Sequence, residues 1–128
     1  MNLLLDSHTF LWWMLDNPRL SRPAFNAIKS ADNVAFLSSA TAWELATKFR
    51  LGKLPEAADF LRDPDATLAE AKLEPLPIVM VHAIAAGKYE SAHRDPFDRI
   101  LAAQSQIEDL TLVTNDPAFA EFPVKTHW

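Results

Sequence analysis

His93-Arg94-Asp95-Pro96-Phe97-Asp98-Arg99-Ile100-Leu101-Ala102-Ala103-Gln104 reads as the opening of a helix. Asp95 suits the N-cap, where a carboxylate accepts bonds from the first free backbone N–H groups. Pro96 then falls at the first helical position, where its missing N–H costs nothing. Asp98 takes the slot that a capping box fills with Glu or Gln. At about 100° per residue the two aspartates point the same way, toward the positive end of the helix. Capping alone explains both acids. A metal ligand held at a helix terminus explains them too, and the rest of the chain has to decide.

Working backward from that helix, strand and helix patterns alternate. Asn2–Leu5 is a short apolar run of the kind a buried parallel strand shows, and it ends on Asp6. Ser7 caps a helix to about Leu15, stopped by Asn17-Pro18. Ser21 caps a second helix that ends at Asp32-Asn33, and Val34–Leu37 is the second strand. Ser38 or Ser39 starts a helix to about Leu51, with Gly52 as its stop and Ala42, Leu45, Ala46 and Phe49 as its apolar stripe. Glu44 lies roughly opposite that stripe. It reads either as a solvated partner of Lys48 four residues on or as part of a site. Pro55 opens a short helix to about Leu61, and Asp65 caps another to Lys72. Leu76-Pro77-Ile78 is an extended piece, followed by a helix over Val81–Tyr89.

Forward from His93, the helix Pro96–Glu108 is expected to bury Phe97, Ile100, Leu101 and Ile107. Leu110–Thr114 is a strand, Asp116 follows, and Val124-Lys125 forms a last edge strand. Alternating strands and helices predict an α/β fold with a parallel sheet. Its ligand crevice lies outside the carboxyl ends of the strands. Asp6 and Asp116 sit just past two such ends, and helix starts such as that at Asp95 gather at the same rim.

Composition removes several function classes. The 128 residues, 49% of them hydrophobic, suit one domain over 1–128 with a single core. With no cysteine there is neither a disulfide framework nor a thiolate metal site, and a reducing cytoplasm is the expected compartment. The N-terminus lacks the basic start of a signal peptide, and the apolar run Phe10–Leu15 is too short to span a membrane. With only Gly52 and Gly87, no glycine-rich phosphate loop can be built. A net charge of −5 argues against nucleic-acid binding through an overall basic surface, though not against a nuclease with a metal site.

Asp6, Glu44, Asp98 and Asp116 are far apart in sequence yet able to converge at one rim. Two bare carboxylates ~4 Å apart repel by about 4 kcal/mol at an effective dielectric near 20. Four together require protonation or a cation. All-oxygen ligands suit Mg²⁺ or Mn²⁺ rather than zinc. Two such ions would nearly neutralise the four acids and admit a phosphodiester, whose hydrolysis by activated water is the reaction class that follows.

Other groupings carry less. His8, His82, His93 and His127 have no metal-ligand spacing and read as satisfied or exposed side chains. Thr114 could hold a water or phosphate beside Asp116. Lys48, Arg50 and Lys53, with Arg94 and Arg99, either line a path for a phosphate backbone or coat solvated surface. Trp12, Trp13, Trp43 and Phe49 are core by default, or an exposed patch for a partner.

Four blocks then resemble a known family. Leu-Leu-Leu-Asp-Ser-His-Thr-Phe-Leu-Trp-Trp (3–13), Ser-Ala-Thr-Ala-Trp-Glu-Leu (39–45), His-Arg-Asp-Pro-Phe-Asp-Arg-Ile-Leu-Ala-Ala-Gln (93–104) and Val-Thr-Asn-Asp-Pro-Ala-Phe (113–119) resemble the PIN domain, most of all VapC-type toxins of type II toxin–antitoxin systems. The resemblance implies a PIN-like three-layer fold, with a central parallel sheet of about four to five short strands flanked by helices. It implies an Mg²⁺-dependent endoribonuclease, with Mn²⁺ as a substitute and Asp6, Glu44, Asp98 and Asp116 as catalytic and metal-binding residues. Asp95 matches an extra aspartate that many members carry and is a further candidate ligand. The resemblance also implies a homodimer, an RNA substrate whose identity differs between members, and a cognate antitoxin. An antitoxin with a basic C-terminal segment would suit the acidic pocket. Two rival readings are a metal-dependent phosphatase using Asp6, disfavoured because the second residue on is His8, and a non-catalytic PIN-like binding module whose acids merely cap helices.

Overall fold

The computed structural model describes all of residues 1–128. Five strands form one parallel sheet: β1 (Asn2–Leu5), β2 (Val34–Ser38), β3 (Glu74–Leu76), β4 (Thr111–Val113) and β5 (Thr126–His127), in the order β3-β2-β1-β4-β5. Leu3 pairs with Ala35 on one side and Thr111 on the other, so β1 is the central strand. Seven helices flank the sheet: α1 (Ser7–Met14), α2 (Arg22–Lys29), α3 (Ser39–Arg50), α4 (Ala58–Arg62), α5 (Pro64–Ala71), α6 (Met80–Lys88) and α7 (Pro96–Ile107). The chain builds outward from β1 to β3, then returns to β4 on the other side of β1. The switch point of this α/β sheet therefore lies between β1 and β4.

The alternation of β1 divides the core into two layers. Leu3 and Leu5 join Phe10, Leu37, Leu45 and Phe60 on one face of the sheet. Leu4 points the other way, into Leu101, Ala102, Leu112 and Phe119. A strand of period two buried on both faces has to be apolar throughout, which Leu3-Leu4-Leu5 is. No helix is long and apolar enough to cross a membrane.

Several boundaries move relative to the sequence reading. Asp6, not Ser7, caps α1, its Oδ1 accepting from the Thr9 N–H at 2.8 Å. Asp63, not Asp65, caps α5. The third strand lies two residues earlier than Leu76–Ile78. It pairs with the open side of β2, an edge that tolerates Pro75. The fifth strand lies two residues later than Val124-Lys125, its register set by Leu112 against Thr126. In α3 the expected stripe holds at Leu45, which is buried, and at Ala42, half-buried against the core, and fails at its other two positions. Ala46 and Phe49 are exposed, and the buried face is Ala40, Thr41, Glu44 and Leu45. In α7 the buried run is Leu101–Ser105, while Ile107 is exposed and Phe97 and Ile100 are half-buried. Small Ala102 lets α7 lie close over Leu4 and Leu112. Gly52 does end α3, at φ 74°, where a Cβ would be strained.

Candidate active site

The carboxyl end of β1 delivers Asp6 to the rim, 5% exposed. Its Oδ1 caps α1, and its Oδ2 accepts a bond from the Thr114 hydroxyl at the end of β4. The same hydroxyl accepts from the Asp116 backbone N–H at 3.0 Å. One threonine thus ties the two strand ends that flank the switch point. Thr9 strengthens the join by donating to the Val113 carbonyl at 2.7 Å. Asp116 caps the following helical turn through Ala118 and leaves its carboxylate at an exposed edge.

Because Asp6 takes the cap, the next residue is released from it. Ser7 donates instead to Oε1 of Glu44 at 2.5 Å. Lys48 donates to Oε2 of the same carboxylate at 2.6 Å. The pair that the sequence offered as solvated surface exists, but Glu44 is only 6% exposed and faces the rim. A buried carboxylate is tolerable when its oxygens are bonded, and both of these are.

Asp95 caps α7 as its sequence suggested, accepting from the N–H groups of Phe97 at 2.9 Å and Asp98 at 3.2 Å. Asp98 lies one turn in and meets Nε2 of His93 at 2.8 Å. Trp43 stacks edge-on against Phe97, with centroids 4.6 Å apart. Each aromatic immediately precedes an acid, so this contact between α3 and α7 carries Glu44 and Asp98 toward one another. Such an aromatic pair contributes about 0.5–1.5 kcal/mol beyond its buried area. The Asp98 carboxyl is pushed up to about 6, chiefly by burial and in part by the charges of Asp95 and Glu44, against the opposing bond from His93.

The connections run Asp116–Thr114–Asp6, then across the peptide to Ser7–Glu44–Lys48, with Asp98 in the field of Glu44. The four acids expected from sequence share this rim. They stand as linked pairs rather than as a closed cage of three or more ligands, as mutual repulsion requires of ionised groups. The donor set is oxygen only, hard and acidic, with His93 behind Asp98 as an orienting partner. Donors of this chemistry are the kind a hard divalent cation such as Mg²⁺ or Mn²⁺ prefers, and Asp98, raised to about 6, is the group whose burial a cation would offset.

The basic residues divide. Arg99 spends its guanidinium on the backbone carbonyls of Ala86, Tyr89, Ser91 and His93. Its expected phosphate contact gives way to a clamp on the segment that leads into α7. Lys48 and Thr114 are engaged with Glu44 and Asp6, while Arg94 is exposed beside Asp95. Sequence reasoning missed Ser7 and His93 as partners of the acids. Ser7 looked like a cap, and a lone His five residues before Asp98 carries no metal spacing. His82 is buried and satisfied, its Nδ1 accepting from the Val79 N–H and its Nε2 meeting Glu108. A groove of about 690 Å³ lies away from these acids, between the C-terminal half of α1 and α2, lined by Trp12, Trp13, Leu20 and Phe25. A smaller hollow of about 310 Å³ borders Thr114 and Asp116.

Residues 3–125 match the PIN domain family, and the chain belongs to it. A search among curated proteins finds no significant match. Solved structures share the fold at low identity. VapBC2 from Rickettsia felis, solved bound to a DNA fragment from its promoter, superposes with a TM-score of 0.73 at 18% identity, covering 99% of this chain and 98% of that one. FitAcB from Neisseria gonorrhoeae gives 0.68 at 20%, covering 100% and 97%. VapBC-1 from nontypeable Haemophilus influenzae gives 0.69 at 15%, covering 99% and 97%.

Proposed function

We propose that the chain is a metal-dependent endoribonuclease and the toxin half of a VapC-type toxin–antitoxin pair. One observation carries the proposal. Asp6, Glu44, Asp98 and Asp116 come from four separate elements of a PIN-domain chain, with Asp6 and Asp116 joined through Thr114 and Asp98 in the field of Glu44. The likeness to VapBC complexes supports the toxin role and an antitoxin partner.

In this reading Asp6, Glu44, Asp98 and Asp116 hold Mg²⁺ or Mn²⁺, with Asp95 a further ligand or only the cap of α7. A bound divalent ion would supply an activated water and offset charge on the phosphodiester. The chain's own residues prepare the site. Thr114 fixes the spacing of Asp6 and Asp116, Ser7 aims Glu44, and His93 aims Asp98. Arg94 is the cation best placed to meet the RNA backbone. RNA as substrate puts the work in the cytoplasm.

The partner follows from charge and surface. An antitoxin with a basic C-terminal segment suits the acidic rim, since an arginine can engage a carboxylate with two parallel bonds. An apolar part of the same segment has the Trp13 groove beside it, with Phe49 and Leu51 exposed on the α3 side. A homodimer is part of the proposal. Most aromatics are used internally, as Trp12 on Trp128 and Trp13 on Phe25. An exposed apolar surface lies at the start of α6, formed by Val79 at its N-cap with Met80, Val81 and Ile84. The experiment is purification with whatever co-purifies, removal of the partner, and RNA cleavage with Mg²⁺ or with EDTA. Cleavage with Mg²⁺ alone, abolished by Asp6→Asn, is expected. Activity that persists in EDTA, or turnover of small phosphomonoesters without RNA cleavage, would overturn the reading.

A further inference from the structure

Lys48 is the one lysine or arginine ion-paired with any of the four acids; the other such pairs are Arg62–Asp59 and Lys125–Asp109, both exposed. Its ammonium lies 2.6 Å from Oε2 of Glu44, whose side chain is 8% exposed while that of Lys48 is 41% exposed. The other oxygen of Glu44 is taken by Ser7. Every oxygen of this carboxylate thus has a partner from the chain, one of them a full positive charge. That changes the charge balance of the rim. The ammonium cancels one of the negative charges a divalent ion would otherwise meet there, and it holds an oxygen that such an ion would need.

We infer that Lys48 is a built-in cation on the Glu44 side of the site, positioning Glu44 and competing with a divalent ion there, so that the acids bind such an ion more weakly than they would without it. The inference rests on the metal-site reading above. Lys48 has the reach and placement for the role. It lies one turn beyond Glu44 on α3, in the last turn, where the helix dipole also favours a cation. Its half-exposed stem lets it hold Glu44 without itself being sealed from water. Lys48 is a positioning residue in this scheme, acting through Glu44.

The test is Mn²⁺ titration of metal-stripped protein, followed by the electron paramagnetic resonance signal of free Mn²⁺, for wild type, Lys48→Met and Lys48→Arg. Wild type is expected to bind Mn²⁺. Lys48→Met, which keeps the apolar stem, is expected to bind it about tenfold more tightly, since a unit charge that close to a divalent ion matters even at the dielectric of water. Lys48→Arg keeps the charge and should return the wild-type isotherm. Lys48→Gln, which keeps a donor for Glu44, carries the same test if Lys48→Met loses its fold. Binding by Lys48→Met that equals wild type, or is weaker, overturns the role of Lys48 and leaves the metal site standing. No Mn²⁺ binding by any variant, wild type included, overturns the metal-site reading and this inference with it.

Discussion

Asp98→Asn should make the metal-free protein more stable at neutral pH, although it removes a proposed ligand. Burial, with repulsion from Asp95 and Glu44, lifts the Asp98 carboxyl from 3.8 to about 6, against the bond from His93. The folded state therefore favours the protonated acid. Stability from such a group is fully present below the unfolded value and is lost as pH rises through the folded one. That rise, from 3.8 to about 6, corresponds to about 3 kcal/mol. The side chain is 18% exposed, and solvent screening reduces that to about 1–2 kcal/mol. Asparagine is neutral at every pH and escapes the loss. The assay is thermal or urea unfolding in EDTA from about pH 4 to about pH 8. The variant should gain on wild type progressively across that range, by about 4–8 °C in Tm at the upper end. With Mn²⁺ added the order should reverse, because wild type gains by mass action and the variant loses a ligand. Parallel curves for the two proteins, or a variant less stable than wild type at pH 8 in EDTA, would refute the assignment of Asp98 as a strained acid.

Other outcomes follow from single contacts. Thr114→Val should cost about 1–3 kcal/mol, because Asp6 loses its buried donor and the Asp116 N–H its acceptor, and most RNA cleavage should go with it; denaturant unfolding beside a cleavage assay checks both, and wild-type activity in the variant would remove Thr114 from the site. Asp95→Asn should change stability by no more than a few tenths of a kcal/mol, since Asn caps as well as Asp, and should cost less activity than Asp98→Asn; equal losses would promote Asp95 to a ligand. Arg99→Ala should open the segment between α6 and α7, seen as faster proteolysis near residues 89–95, because four backbone carbonyls lose their donor. Met80→Asp with Ile84→Asp, one turn apart on the exposed face of α6, should turn the proposed dimer into a monomer in light scattering at micromolar concentration without unfolding it.

Local chemistry alone determined much of this protein. Leu3-Leu4-Leu5 had to be a strand buried on both faces, and Asp95-Pro96 had to start a helix, because these choices depend on neighbours in the chain. Acids just past strand ends pointed to the rim for the same reason. Contacts across the fold were another matter. Helical periodicity offered two faces for α3 and preferred the one with Phe49. The structure buries the one with Glu44, because Ser7 and Lys48 satisfy its carboxylate there and Trp43 leans on Phe97 of α7. Arg99 looked like a phosphate contact until the loop carbonyls that surround it were in place. Nor could spacing set the acidity of Asp98, which comes from burial and from charges on other segments of the chain. A sequence fixes which side chains carry charge and where helices begin. Which charges are desolvated, and which neighbour compensates each, depends on chain segments that meet only when the sheet closes around β1.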